Sequence, residues 1–287
     1  MTVLTLLIAQ KVVSLAVCPQ TGLVAAGFAD GYIRLYDGST GANTGVRLCH
    51  QGPVNSLEFF GDSLLSAGPD GIKVWSVDTM GPGRAFGQEA GVAVLFAGLA
   101  LDSKMVVSVD QSHPIRLWDL RKRKLKKQKT YSGTDVNLVA SCAATDGKLL
   151  FVGYDGWESW VWDVKKMDTV KVFPVWSPVK HPDCAFSRDG KMLAFCEDDA
   201  IFLFSVPGWK QKRVIQVPDT ATALCFSDDN ALVFATTKGK IKVWKDGQSV
   251  WEYHLDKGRV NALAFGNGFV YAGCDKGLAL IPFLLNE

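Results

Sequence analysis

Residues 50–79, HQGPVNSLEFFGDSLLSAGPDGIKVWSVDT, hold a pattern that the rest of the chain repeats. Two runs, VNSLEF and IKVWSV, alternate apolar with polar residues, and a third apolar run between them ends in the turn residues GPDG. Alternation over four to eight positions sends one set of side chains inward and the other outward, and Gly, Asp and Pro then close the strand with a tight turn. The segment predicts three short antiparallel strands, with GRAFGQ (83–88) as a fourth.

The third strand carries Trp75, which has counterparts at Tyr36, Trp118, Trp162, Phe204 and Trp244, at steps of 39–44 residues. A unit of that length ending in Trp-Asp resembles the WD-repeat β-propeller family, in which each repeat builds a blade of four strands. The resemblance extends over essentially the whole chain. It implies an all-β fold, a seven-bladed propeller of four-stranded antiparallel blades, in one domain over residues 1–287. The seventh repeat supplies three strands (VNALAF, FVYAGC, GLALIPF), while TVLTLLIA precedes the first. Strand 2–9 is therefore expected to complete the last blade and close the ring, because an open ring leaves apolar strand edges unpaired. Deletion of residues 1–10 should make the chain insoluble or sharply less stable.

Blades of this family can carry a hydrogen-bonded chain of Trp, Ser/Thr, His and Asp. The resemblance carries that set onto His50, Ser66, Asp70 and Trp75 in blade two, with Cys-His in place of the usual Gly-His. Blade three keeps Ser108 and Trp118 but has Ser112 and Gln88 in the Asp and His slots. Blade one has Asp30 with Ala26 and Tyr36, and blade six has Lys238 where Asp would sit. The remaining blades should rely more on apolar packing.

Composition changes the picture little. The chain is 48% hydrophobic and 21% charged, enough to bury a large core, and its net charge of +2 points to neither a nucleic acid nor an acidic partner for the molecule as a whole. None of the seven cysteines pairs in Cys-x-x-Cys spacing, so no zinc site is expected. Cys142, Cys184 and Cys225 fall in successive first strands and read as small, buried, apolar residues. Their odd number fits a reducing compartment, the cytoplasm or the nucleus. TVLTLLIA lacks a basic leading region, and Lys11 interrupts it, so it is not read as a signal peptide. No run is long enough to span a membrane.

Catalytic patterns are sparse. His50 could be a general base, but its motif holds no nearby nucleophile; the structural role above is preferred. His113 and His181 each precede proline, and His254 lies in an outer strand. KHPDC (180–184) brings His, Asp and Cys together in sequence, yet positions 181 and 184 of an extended segment point to opposite faces. GPGRAFG (81–87) precedes a strand, whereas a phosphate cradle needs a helix N-terminus. Asp198, Asp199, Asp228 and Asp229 occupy turns. No metal, cofactor or small-molecule substrate is expected, and an esterase-like activity, known in rare members of the family, finds no triad here.

One run stands out: RKRKLKKQK, with Arg121, Lys122, Arg123, Lys124, Lys126, Lys127 and Lys129. It reads as a solvated edge strand whose lysines discourage association, as a nuclear import signal, or as a patch for RNA or an acidic partner. It has no aromatic residues for base stacking. WDLR (118–121) also resembles the Trp-Asp-x-Arg pattern of propellers that serve as cullin-4 ubiquitin-ligase substrate receptors; Arg121 would then face the adaptor, and Arg121→Ala should end its co-purification.

Family members commonly bind proteins on the face formed by the fourth-to-first and second-to-third strand loops. Here that face is expected to hold Asn55, Pro69, Gln111, Asn137, Trp157, Trp176, Glu197, Lys238, Asn261 and Lys276. Trp157 and Trp176 stand out, since neither occupies the repeated third-strand position and tryptophan is enriched in binding hot spots. The sequence thus points to a non-catalytic scaffold within a multiprotein complex. The alternatives are an RNA-associated factor in ribosome assembly or RNA processing, using residues 121–129, and the ubiquitin-ligase receptor.

Overall fold

The computed structural model describes all residues except 1–3, 8–9, 82, 88–91, 112–113, 131–137, 145, 155–157, 175–182, 198, 257 and 284–287. Among the described residues, twenty-eight strands form seven four-stranded antiparallel sheets. Strand β1 (Leu4–Leu7) comes first. Blade one follows as β2 (Val12–Val17), β3 (Leu23–Phe28), β4 (Tyr32–Asp37) and β5 (Asn43–Leu48). Blade two is β6 (Ser56–Phe60), β7 (Ser63–Gly68), β8 (Gly71–Ser76) and β9 (Arg84–Phe86). Blade three is β10 (Val94–Ala100), β11 (Met105–Asp110), β12 (Ile115–Asp119) and β13 (Lys124–Lys129). Blade four is β14 (Leu138–Ala143), β15 (Leu149–Tyr154), β16 (Ser159–Asp163) and β17 (Asp168–Phe173). Blade five is β18 (Cys184–Phe186), β19 (Met192–Glu197), β20 (Ala200–Ser205) and β21 (Gln211–Gln216). Blade six is β22 (Ala221–Phe226), β23 (Leu232–Thr236), β24 (Lys240–Lys245) and β25 (Gln248–His254). Blade seven is β26 (Val260–Gly266), β27 (Phe269–Cys274) and β28 (Gly277–Pro282).

The first strands of neighbouring blades touch in a closed cycle, from β2 through β6, β10, β14, β18, β22 and β26 back to β2. Where the last blade meets the first, Leu4–Leu7 pair antiparallel with Gly277–Leu280; the rest of segment 2–9 lies outside the described residues. Side chains knit the same seam. Val12, Val24, Phe28 and Tyr36 of blade one pack with Tyr271, Leu278 and Leu280 of blade seven, and the Tyr271 hydroxyl donates to Gly38 O at 3.0 Å. Among the described residues there is no helix, hence none long and apolar enough to cross a membrane.

Second strands are the most deeply buried because both their faces and both their edges are covered: Leu64, Leu65, Ser66 and Ala67 of β7 are all at 0% exposure. Turns between second and third strands use glycine where the backbone demands it. Gly31 has φ 89° and Gly239 φ 77°, and a Cβ there would lie 2.0 Å from His50 O and 2.4 Å from Leu255 O, so the fourth strand's end could not approach.

Two expectations change. The fourth strand of blade two is Arg84–Phe86 rather than 83–88, since Gly87 turns the chain at φ 70°. Cys142 and Cys225 are half-buried, while Cys184 is buried. All three line a central channel cavity of about 380 Å³; first strands border that channel, so their side chains are not all sealed. The basic run lies where the sequence placed it, across the third-to-fourth strand connection and the outer strand, with 121–123 in the turn and Lys124–Lys129 forming β13.

Candidate functional site

The structure brings His50, Ser66, Asp70 and Trp75 together. The Trp75 indole N–H donates to Ser66 Oγ at 2.8 Å. Ser66 Oγ and His50 Nε2 are 2.7 Å apart, and His50 Nδ1 lies 2.5 Å from Asp70 Oδ1. Lys73 Nζ donates to Asp70 at 2.6 Å and to Cys49 O at 2.7 Å. A neutral His50 with its proton on Nδ1 satisfies every group: Ser66 donates to Nε2, and Nδ1 donates to Asp70. Burial pushes the His50 pKa down, against the pull of Asp70, which favours that neutral form. Burial also raises the Asp70 carboxyl, but Lys73 and His50 outweigh it and the net shift is down.

Ser, His and Asp in this order repeat the connectivity of a hydrolytic triad, so access decides what the set can do. Ser66 is at 0% exposure and its oxygen already accepts the Trp75 proton. Gly68 sits against the ring, where a Cβ would lie 2.6 Å from His50 Cγ. No acyl group can reach that oxygen without unfolding the blade, and the arrangement acts as a tie between strands and loop. Cys184, from KHPDC, is equally unsuited to attack: burial holds its thiol pKa well above the usual value. Asp183 turns away from such chemistry too, accepting from Cys184 N at 2.9 Å and from Leu224 N of the next blade at 2.7 Å. His113 and His181 lie outside the described residues. His254 is exposed, 3.1 Å from Asp256. Among the described residues no group of three or more His, Cys, Asp or Glu side chains could hold a metal ion.

Blade two is not alone in having polar ties, which other blades add to their apolar packing. In blade one Gln10 takes the histidine's place and bonds Asp30. Blade six inverts the charges, with Lys238 Nζ 2.5 Å from Asp219. In blade seven Asn261 donates to Asp275 at 2.9 Å. Blade three keeps the Trp118–Ser108 bond at 2.8 Å and adds a buried ion pair of Arg116 with Asp110. Gln88 and Ser112 lie outside the described residues.

This lacing takes up several of the residues expected to meet partners. Asn55 donates to Val94 O at 2.8 Å across to blade three. Asn261 and Glu197 lie within strands, not loops, and Glu197 is buried. Lys238 is engaged as above. Gln111 and Lys276 are exposed and Pro69 is half-exposed, whereas Asn137, Trp157 and Trp176 lie outside the described residues.

The basic run stands on the outer rim. Arg121 and Lys122 are exposed in the turn, Arg123 is half-exposed there with φ 53°, and all six residues of β13 are exposed. Two lysines reach blade four: Lys127 Nζ donates to Lys165 O at 2.9 Å, and Lys129 lies 3.2 Å from Asp168 and 5.5 Å from the Trp162 ring centre. Lys126 is 3.8 Å from Asp119. Arg121, Lys122 and Lys124 have no side-chain ion pair or hydrogen bond among the described residues.

Comparison with known proteins gives two kinds of match. The family model "WD domain, G-beta repeat" matches residues 3–37 and 209–245. A Danio rerio protein named p21-activated protein kinase-interacting protein 1-like is 36% identical over 111 residues, 37% of this chain and 29% of the relative. A Xenopus laevis protein of the same name is 33% identical over 99 residues, 34% of this chain and 27% of the relative. The alignments thus span less than a third of either relative.

Proposed function

The chain belongs to the WD-repeat β-propellers, and from that premise we propose that it is a non-catalytic interaction scaffold, one subunit of a multiprotein complex. The observation that carries this reading is the sealed state of the triad-like cluster found among the described residues, beside an extensive, rigidly laced surface. A closed ring of packed blades presents two faces and a rim without having to move, and such a body binds several proteins at once. The two relatives are named for interaction with a p21-activated kinase, which supports protein partners and makes a protein kinase one candidate class.

Size-exclusion chromatography of extracts from the native source tests it. The chain should elute in an assembly well above its own 31.2 kDa. Elution as a monomer, together with ester hydrolysis that Ser66→Ala abolishes, would overturn it.

The exposed basic rim favours a second reading, an RNA-associated factor in ribosome assembly or RNA processing. Salt-sensitive binding of single-stranded RNA, lost when residues 121–129 are neutralised, is its test. We place the protein in the cytoplasm or nucleus, where seven free thiols persist; a fluorescently tagged chain found in the secretory pathway would refute that placement.

A further inference from the structure

The rim of blades three and four differs in charge from the rest of the molecule. Segments 119–129 and 163–173 together hold 10 cations and 3 anions, leaving 21 cations and 26 anions for all other positions. A strongly positive rim therefore sits on a chain that is otherwise net negative. At its centre is β13, the outermost strand of its sheet, in the order β10-β11-β12-β13. One edge of β13 thus offers backbone N–H and C=O groups to solvent.

The other outer strands answer their exposed edges differently. β25 balances its charge across the sheet, with Glu252 3.0 Å from Lys242. β9 is only three residues long. β13 alone among them carries four lysines in six residues, Lys124, Lys126, Lys127 and Lys129, and no acid. Lys127 and Lys129 reach across to blade four, while the ladder with β12 holds the strand extended. Arg121, Lys122 and Lys124 at its leading end are uncommitted. Leu125, 45% exposed, breaks the row of charges with an apolar side chain.

We propose that β13 is a docking edge for an extended acidic segment of a partner protein, which adds to blade three as a fifth strand. This deepens the scaffold reading, and rests on it, by naming the surface and the chemistry of one partner. Main-chain hydrogen bonds supply the pairing, as in other strand additions. Glu or Asp opposite the lysines, with an apolar residue near Leu125, supplies selectivity, because unlike charges directly across a ladder attract and like charges repel. The same lysines reject a second copy of β13, so the edge refuses self-association yet accepts an acidic strand. The pre-extended strand pays little ordering entropy on binding. RNA is disfavoured as occupant, since β13 and its turn lack aromatic side chains on which bases could stack.

The test uses the full-length chain and a fluorescent ten-residue peptide of alternating Glu and Val, read by anisotropy and amide hydrogen exchange. Binding should slow exchange at 124–129 and weaken about tenfold between 50 and 200 mM salt. The triple variant Arg121→Gln, Lys122→Gln, Lys124→Gln should weaken it at least tenfold with an unchanged unfolding midpoint, because these side chains hold no internal bond. A peptide N-methylated at alternate positions keeps its charge but cannot pair; it should bind at least tenfold more weakly. Equal binding of the methylated peptide, protection elsewhere, or capture of oligo-U in preference to the acidic peptide would each overturn the proposal. A native assembly that survives in the triple variant would sink this inference while leaving the scaffold reading standing.

Discussion

In blade two a chain of polar groups ties the second strand to the loop before the first, from the Trp75 indole through Ser66 and His50 to Asp70. At the seam of blades four and five the same depth of the molecule holds rings instead. Phe195 stacks on Phe151 at 5.2 Å and on Phe204 at 5.6 Å, and Phe173 leans against both Phe195 and Phe204. Ser66 is as fully buried as Leu193 beside those rings. The same depth of the molecule is thus filled in two ways, by a hydrogen-bonded relay in one blade and by an aromatic cluster at the seam of two others. They differ in tolerance. Rings lose stability in proportion to the volume removed, whereas a relay fails when one member leaves its neighbours unpaired.

The largest effect should come from the aromatic seam. Phe195→Ala removes a ring from among four others and should cost about 4 kcal/mol in urea denaturation. Trp75→Phe keeps most of the volume of blade two and deletes one donor, so a loss of about 1–2 kcal/mol is expected. If both changes cost the same, the contrast between the regions fails.

The strands were legible in the sequence because their alternation is local, and the blade-two relay because that blade resembles the family's motif. KIKVWK matches β24 residue for residue, since each position alternates between two environments. The remaining ties were not legible. Gln10 with Asp30, Asp219 with Lys238 and Arg116 with Asp110 join residues that no motif associates. Nor does the repeat period say that Phe173 of one blade will meet Phe195 of the next, because it describes each blade alone. The division of the basic run, with Lys127 and Lys129 fastened and Lys124 free, depends on the neighbouring blade in the same way.

A third prediction extends the contrast to a charged tie. Burial pushes the Asp183 carboxyl up to about 6, outweighing the backbone amides of Leu224 and Cys184 that lower it. A folded pKa above the unfolded value means that this carboxyl's contribution is fully present below about pH 4 and is lost as pH rises through about 6. Relative to wild type, Asp183→Asn should therefore gain stability between pH 4 and 7, on the order of 2 kcal/mol. An unchanged pH profile would mean that the carboxyl is solvated in the folded state. His50 has the opposite sign: its lowered pKa makes wild-type stability fall as pH drops below its unfolded value near 6.5, and Asn at position 50 should flatten that slope. The smallest effect belongs to blade six. Its Lys238–Asp219 pair has an exposed lysine, so Lys238→Ala should leave the unfolding midpoint unchanged.

Ser66→Ala probes the central claim most directly, because the Ser66 hydroxyl joins the Trp75 indole of the third strand to His50 of the preceding loop. Its replacement strands the Trp75 N–H and His50 Nε2 in a site that water cannot reach. Urea denaturation should show a stability loss of about 3 kcal/mol at an unchanged slope. An unfolding midpoint equal to wild type would contradict the account, since blade two would then be held by packing alone, like the aromatic seam.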